Sequence, residues 1–180
     1  HLNYTTQPIH FTTKSGSLYV KLKQGRYQLD LPARPGTVSE LPEVIAQALS
    51  MPPQYIIKAR DYLLVYDTQA EIESLYIDRP VFDQINLGPG GVIVTAPGNK
   101  HDFVSRFFTP QATILEDPVT GSAHCTLVPY WAKRLSKSTL HAHQCSARGG
   151  ELWCEDQGER VKVSGLARTF SAGAFSITES

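Results

Sequence analysis

The chain has 180 residues, 41% hydrophobic and 19% charged, with 17 Lys plus Arg against 17 Asp plus Glu. A formal net charge of zero excludes the basic footprint of a nucleic-acid or anionic-membrane binder, and the length suits one medium domain or one domain with part of another. No apolar stretch is long enough to span a bilayer. Cys125, Cys145 and Cys154 are an odd set without metal-type CxxC spacing, which points to reduced thiols and a cytoplasmic setting.

In chain order, Ile9–Thr13, Ser17–Lys23 and Arg26–Leu31 read as short strands, with Lys14-Ser15-Gly16 and Gln24-Gly25 as their turns. In SLYVKL, Leu18, Val20 and Leu22 alternate with Tyr19 and Lys21, the pattern of a half-buried strand. Pro32-Ala33-Arg34-Pro35-Gly36 breaks the pattern as a linker would. Ser39 is placed to cap a helix running through Leu49, with Pro42 in its first turn. Tyr55–Ala59 and Tyr62–Tyr66 read as strands about a tight turn at Arg60-Asp61. Short helices are expected near Ala70–Leu75 and Arg79–Ile85, then strands at Val92–Ala96 and Phe103–Phe108. The GPGG run at Gly88–Gly91 lacks the strand-then-helix setting of a phosphate loop and reads as a turn. Four further strands are expected at Leu140–Cys145, Glu151–Glu155, Arg160–Ser164 and Ala172–Ile177.

Between these groups lies EDPVTGSAHCTLVPYWAKRL, from Glu116. Pro118–Ala132 contains no Lys, Arg, Asp or Glu. Leu127, Tyr130, Trp131 and Leu135 share one helical face, and Ala123, Cys125 and Val128 make the other side apolar, so the helix is a buried one. Pro129 removes one interior hydrogen bond. Lys133, Arg134 and Lys137 gather at the far end, where cations suit the helix dipole; the cluster is too small for a nucleic-acid footprint. The helix therefore starts near Thr120-Gly121-Ser122, in the interior. Its free N–H groups need acceptors, which are either local caps from Asp117, Thr120 or Ser122 or an anionic ligand that Gly121 allows to approach. Asp117 stands between a helix terminus that favours its ionised form and burial that favours its protonated form, the setting of a group that moves protons. Many short strands around one apolar helix indicate an α+β barrel or roll.

At this stretch the chain resembles the phenazine-biosynthesis isomerase-like (PhzF) family, which shares the diaminopimelate epimerase fold. RFFTP at Arg106–Pro110, QCSARGGEL from Gln144, ERVKVSGLA from Glu159 and FTTKSGSLYVKL near the start resemble family segments too, so the likeness covers nearly the whole chain. The resemblance implies two pseudo-symmetric halves, each a barrel of strands around a central helix, with the site between the two helix N-termini. It implies cofactor-free proton transfer at carbon, with Asp117 as an acid/base carboxylate. The N–H groups of Gly121 and Ser122 and the hydroxyls of Thr120 and Ser122 would hold a substrate carboxylate. Gln144, Ser146 and Arg148 of the Q-x-S-x-R-G-G segment, and Arg106, join the substrate-binding set. Related epimerases use paired cysteines where this chain has Asp117, which argues against a thiol racemase. The family's glutamate base in an S-E-T segment and its G-H-A-T helix start do not occur here. On this reading residues 1–33 are the last strands of a mostly missing N-terminal half and residues 34–180 the C-terminal half, the chain being a truncation or a cleavage product. It would then be inactive alone and would associate with the missing half or with itself as a dimer. A non-catalytic small-anion-binding or protein-interaction subunit is the alternative.

Other groups carry less. HAHQC sets His141, His143 and Cys145 on one face of a strand, but a single strand seldom supplies three ligands to one ion and no fourth is evident, so no metal is expected. His124 and Cys125 point about 100° apart on a helix and are no nucleophile–base pair. Arg106 and Arg148 could form bidentate bonds to an anionic substrate or a structural ion pair to Glu116 or Asp117, and Arg148 beside Gly149-Gly150 could equally mark a bulge or tight turn. Trp131, Tyr130 and Trp153 read as core.

Overall fold

The computed structural model describes residues 8–14 and 16–173. Strands β1 (Ile9–Thr13), β2 (Gly16–Lys23) and β3 (Arg26–Pro32) form the expected antiparallel meander. The β2–β3 turn has both central residues at positive φ, Gln24 at 52° and Gly25 at 75°, as a two-residue hairpin loop matched to strand twist requires. A two-residue strand β4 (Thr37–Val38) follows, then α1 (Glu43–Ala48), β5 (Tyr55–Lys58), β6 (Tyr62–Val65), α2 (Gln69–Ser74), α3 (Arg79–Phe82), β7 (Val92–Pro97) and β8 (Phe103–Phe108). After them come α4 (His124–Leu135), β9 (Thr139–Gln144), β10 (Gly150–Asp156) and β11 (Arg160–Gly165). Helix α1 is shorter than expected and is not capped by Ser39. It begins after Pro42, whose ring forces Leu41 out of the helical region. The strand expected at Ala172–Ile177 falls mostly outside the described residues, and Ala172 and Gly173 are not in a strand.

All eleven strands belong to one mixed sheet in the order β1-β2-β3-β11-β10-β9-β8-β7-β6-β5-β4. Among the described residues only β6–β7 and β8–β9 are parallel, and those two connections carry the crossover helices that parallel pairing needs, α2–α3 and α4. Both crossovers step the same way across the sheet, but β6 and β8 run in opposite directions. Right-handed crossovers must therefore set their helices on opposite faces. The core divides accordingly. On one face α1–α3 pack on Leu64, Tyr66, Val92, Val94, Ala96, Val104 and Phe108. On the other, Leu127, Val128 and Trp131 of α4 pack against side chains from β3, β6 to β11 and the partly buried Ile57 of β5. With both faces covered, β7 reads as an apolar run interrupted only by Thr95.

Among the described residues the sheet is open, because the edges β1 and β4 do not pair. The expected barrel is thus an α+β arrangement on a large, unclosed mixed sheet, and β4, two residues long, offers too little backbone for closure. Within α4, Pro129 cannot donate to the carbonyl of Cys125; the Arg34 N–H bonds that carbonyl at 2.8 Å instead. Trp131 is fully buried, with its indole N–H on Thr95 Oγ1 at 3.0 Å. Burying each such side chain contributes about 2 kcal/mol relative to leaving it in water.

Candidate active site

The segment before α4 is fixed at the end of β8. The Thr109 N–H bonds the Leu115 carbonyl at 2.9 Å, closing a loop that returns the chain to the sheet, and the Asp117 N–H bonds the Phe107 carbonyl at 3.0 Å. From there Pro118–Thr120 leads into a turn at Gly121–Ala123 and then the helix. The turn is tight: His124 N–H bonds the Gly121 carbonyl at 3.1 Å and Cys125 N–H the Ser122 carbonyl at 3.2 Å.

Gln144, at the end of β9 and 1% exposed, organises this segment. Its Oε1 accepts the Thr120 N–H at 2.8 Å, and its Nε2 donates to the Asp117 carbonyl at 2.6 Å and to Thr120 Oγ1 at 3.2 Å. The Thr120 hydroxyl donates to Asp117 Oδ2 at 2.6 Å. Ser146 Oγ donates to the Pro118 carbonyl at 2.7 Å and accepts the Gly149 N–H at 3.1 Å. Gly149 sits at φ 68°, and a Cβ on Gly150 would lie 2.4 Å from Val119 Cγ2, so the paired glycines let the β9–β10 turn close over Val119. Arg148 is exposed in that turn.

Gln144 and Ser146, expected in the substrate-binding set, direct their hydrogen bonds here to the loop and so position the segment. Arg106 alternates with Ser105 and Phe107 and lies on the sheet face away from α4. Its guanidinium holds Glu116 at 2.7 and 2.9 Å and the Ile72 and Leu75 carbonyls at the end of α2 at 3.0 and 2.8 Å. The ion-pair reading therefore describes Arg106. Its four bonds join the end of a helix, where a cation is favoured, to the start of the Asp117 loop.

Asp117, Thr120, Gly121 and Ser122 are brought together. No side chain caps α4; the hydroxyl of Thr120 is turned to Asp117, and Ser122 Oγ accepts from Arg60 Nη2 at 3.3 Å. Among the described residues the N–H groups of Gly121 and Ser122 have no acceptor. A Cβ on Gly121 would meet nothing within 4 Å, so the turn opens outward at that point. A groove of about 690 Å³ lies elsewhere, between the β4–β5 edge and Thr126, Pro129 and Tyr130 of α4.

Three groups carry more than the sequence suggested. Arg60 and Asp61 make the expected tight turn, but Asp61 is 1% exposed, ion-paired to Arg60 at 3.0 Å and accepting the Gly91 N–H at 2.9 Å. The pair sets Arg60 against Ser122. His124 is fully buried with its Nδ1 2.8 Å from the Thr120 carbonyl, and burial pushes its pKa down to about 4. The ring is therefore a neutral donor that holds the turn. Burial also pushes the Cys125 thiol up, in keeping with an inert cysteine. Trp153 is not core: it faces away from α4, with Arg26 stacked at 3.6 Å and the His141 ring at 4.9 Å. No helix among the described residues is long and apolar enough to cross a membrane.

The phenazine biosynthesis-like protein family matches residues 2–173. An uncharacterized isomerase of Pseudomonas aeruginosa is 47% identical over 172 residues, which are 94% of this chain and 65% of that protein. The human phenazine biosynthesis-like domain-containing protein is 34% identical over 164 residues, 79% of this chain and 56% of that protein. A crystal structure of a putative phenazine biosynthesis protein from Clostridium difficile superposes with a TM-score of 0.87 at 34% identity, covering 98% of this chain and 68% of the other. The chain thus spans somewhat less than two thirds of the first curated relative's length. By its sequence and its fold together, the chain belongs to the phenazine biosynthesis-like family.

Proposed function

We propose that the chain carries part of the site of a cofactor-independent isomerase that transfers a proton at carbon on a small carboxylate substrate. The observation that supports it most is the pair of unpartnered N–H groups at Gly121 and Ser122, at a helix start beside the Asp117 carboxyl. A substrate carboxylate would take those two N–H groups and the Ser122 hydroxyl proton, since Ser122 Oγ serves Arg60 only as an acceptor. Asp117 Oδ2 is held by Thr120, which leaves Oδ1 to take the proton from carbon and return it.

Relaying a proton between two carbons needs a second base. Glu116 is tied to Arg106 on the other face, and Asp61 to Arg60 and the Gly91 N–H. We therefore assign that base to a second, epimerase-like half facing the α4 turn, with residues 1–33 as its last strands and 34–180 as this half. Exposed Phe11, Leu22 and Tyr27 on β1–β3 favour association there, through the other half or a second copy. The name of the Pseudomonas relative, an isomerase, is in line with this reaction class. An anion-binding subunit without turnover is the second reading, favoured by the engagement of Glu116 and Asp61 elsewhere.

The test is hydrogen exchange at carbon in D2O, followed by proton NMR on an amino-hydroxy cyclohexadiene carboxylate. It would use the chain alone and the chain mixed with the segment of the Pseudomonas relative that it does not match. Exchange is expected only in the mixture, and Asp117→Asn should abolish it. Exchange by the bare chain would remove the second half from the proposal; carboxylate binding without exchange in the mixture would favour the binding subunit.

A further inference from the structure

We propose that His101, His141 and Glu151 form a binding site for a divalent transition-metal ion of the zinc class, fastening the loop before β8 to β9 and β10. The site lies on the sheet face away from α4 and does not depend on the reading of Asp117. Its donors come from three separate stretches of chain. On β9, Leu140 and Ala142 face α4, so His141 and His143 face the other way; on β10, Leu152 and Cys154 face α4, so Glu151 and Trp153 also lie on the face away from it. The antiparallel register sets Glu151 opposite His143 and Trp153 opposite His141, which makes Glu151 the diagonal neighbour of His141. His101 arrives from the loop after β7.

The geometry is close to a coordination polyhedron. His141 Nε2 lies 3.2 Å from Glu151 Oε2 and His101 Nε2 lies 3.6 Å from Glu151 Oε1, and one ligand atom from each of the three residues falls within 4.8 Å of the others. Neighbouring donors around tetrahedral zinc with bonds of 2.0–2.1 Å are about 3.3 Å apart. Each imidazole thus already stands near that distance from one of the two Glu151 oxygens. Side-chain rotation would bring the three donors, now within 4.8 Å of one another, onto one ion.

The frame is held before any ion arrives. The His141 N–H donates to Asp102 Oδ2 at 2.8 Å while the Asp102 N–H donates to the His141 carbonyl at 2.8 Å, and Lys137 ion-pairs with Asp102. This reciprocal clamp fixes the residue after His101 to His141 itself. The His141 ring stacks on Trp153 at 4.9 Å and meets His101 edge-on at 4.7 Å. Such outer contacts are what hold metal-ligating histidines in orientation. His143 stands outside the ligand set, stacked on His101 at 5.2 Å with Nδ1 3.5 Å from Cys145 Sγ. Two imidazoles and one carboxylate select zinc, cobalt or nickel over magnesium or calcium, which prefer all-oxygen shells. Glu151 is exposed, so solvent supplies the fourth ligand.

The test is metal titration of the chain after chelator treatment and desalting, by calorimetry with Zn2+ and by visible absorption with Co2+. One equivalent of zinc is expected, with cobalt bands free of thiolate charge-transfer absorption, a raised melting temperature in zinc, and no response to Mg2+. His101→Asn and Glu151→Gln should each weaken zinc at least about tenfold while melting like the parent in chelator; Cys145→Ser should bind as the parent does. The proposal is overturned if the parent binds no zinc, or if both ligand variants bind it unchanged, or if binding disappears with Cys145→Ser alone.

Discussion

Gln144 offers the sharpest stability test, because one buried amide serves two backbone groups of the Asp117 loop. Gln144→Leu keeps the volume but removes the acceptor of the Thr120 N–H and the donor to the Asp117 carbonyl. Thr120 is 6% exposed, so its N–H becomes a buried orphan; the Asp117 carbonyl is less enclosed and regains part of its hydration. At about 1–3 kcal/mol for each buried group left unpaired, the cost should be about 3 kcal/mol. Gln144→Glu is the informative partner. Its carboxyl can still accept from Thr120, but only the protonated acid can donate to the Asp117 carbonyl. The folded state therefore holds that proton more tightly than the unfolded chain, where a glutamate titrates near 4.3. A raised folded pKa contributes stability that is fully present below the unfolded value and is lost as pH rises through the folded value. Urea unfolding of the parent and both variants at pH 5 and pH 8 checks this. Gln144→Leu should show nearly the same deficit at both pH values, and Gln144→Glu a deficit that grows between them. A loss below about 0.5 kcal/mol for Gln144→Leu, or a pH-independent deficit for Gln144→Glu, would refute the proposed role.

His124, ordinarily near 6.5 and depressed to about 4, binds more protons unfolded than folded between those values. Stability should be complete above pH 6.5 and fall by about 3 kcal/mol on the way to pH 4, and His124→Asn should flatten that slope in denaturant titrations. Gly150→Ala should cost about 1–3 kcal/mol because its Cβ meets Val119, a stiff side chain, at 2.4 Å; thermal melts of Gly150→Ala with and without Val119→Ala should show recovery in the double variant. Arg106→Met leaves Glu116 and two α2 carbonyls without their partner and should cost about 3 kcal/mol in urea unfolding. It should not change the affinity for a small carboxylate at Gly121, measured by calorimetry, whereas a substrate-binding arginine would lose both.

How much of this the sequence disclosed depends on whether a pattern is local. The meander at β1–β3 is solvated enough for its alternation to show, and its turn residues demand their φ values. The apolar run of α4 announces a buried helix because no other element tolerates so many uncharged residues between polar ends. FVSRFF is different. With both faces of β8 covered, nothing in the run says which set of side chains meets α4, and so the sequence left Arg106 open between a substrate contact and an ion pair. For Trp153 the signal was present: Leu152 and Cys154 pointing inward require it to point outward. Closure of the sheet was not legible, since it depends on whether two edges distant in sequence supply enough backbone to pair. Likewise HAHQC showed part of the histidine cluster. His101 and Glu151 join it only through strand register and the Asp102 clamp, neither of which leaves a local pattern.

The adjacent carboxylates Glu116 and Asp117, followed by a run without charge, acquire a physical sense from the two faces of the sheet. Glu116 bridges back to Phe108 and turns its side chain to Arg106 on the α1–α3 side, while Asp117, one residue on, turns its own to Thr120 at the start of α4. An extended backbone sends successive side chains to opposite sides, so one carboxylate can anchor the loop in the helical layer while the next stands at the helix turn. The charge-free run is then a requirement of α4, every residue of which from His124 to Val128 is buried. A charge there would have no partner and would cost more than the fold has to spare. Placing Asp117 just ahead of that run is how a carboxyl group reaches the helix tip without entering the core.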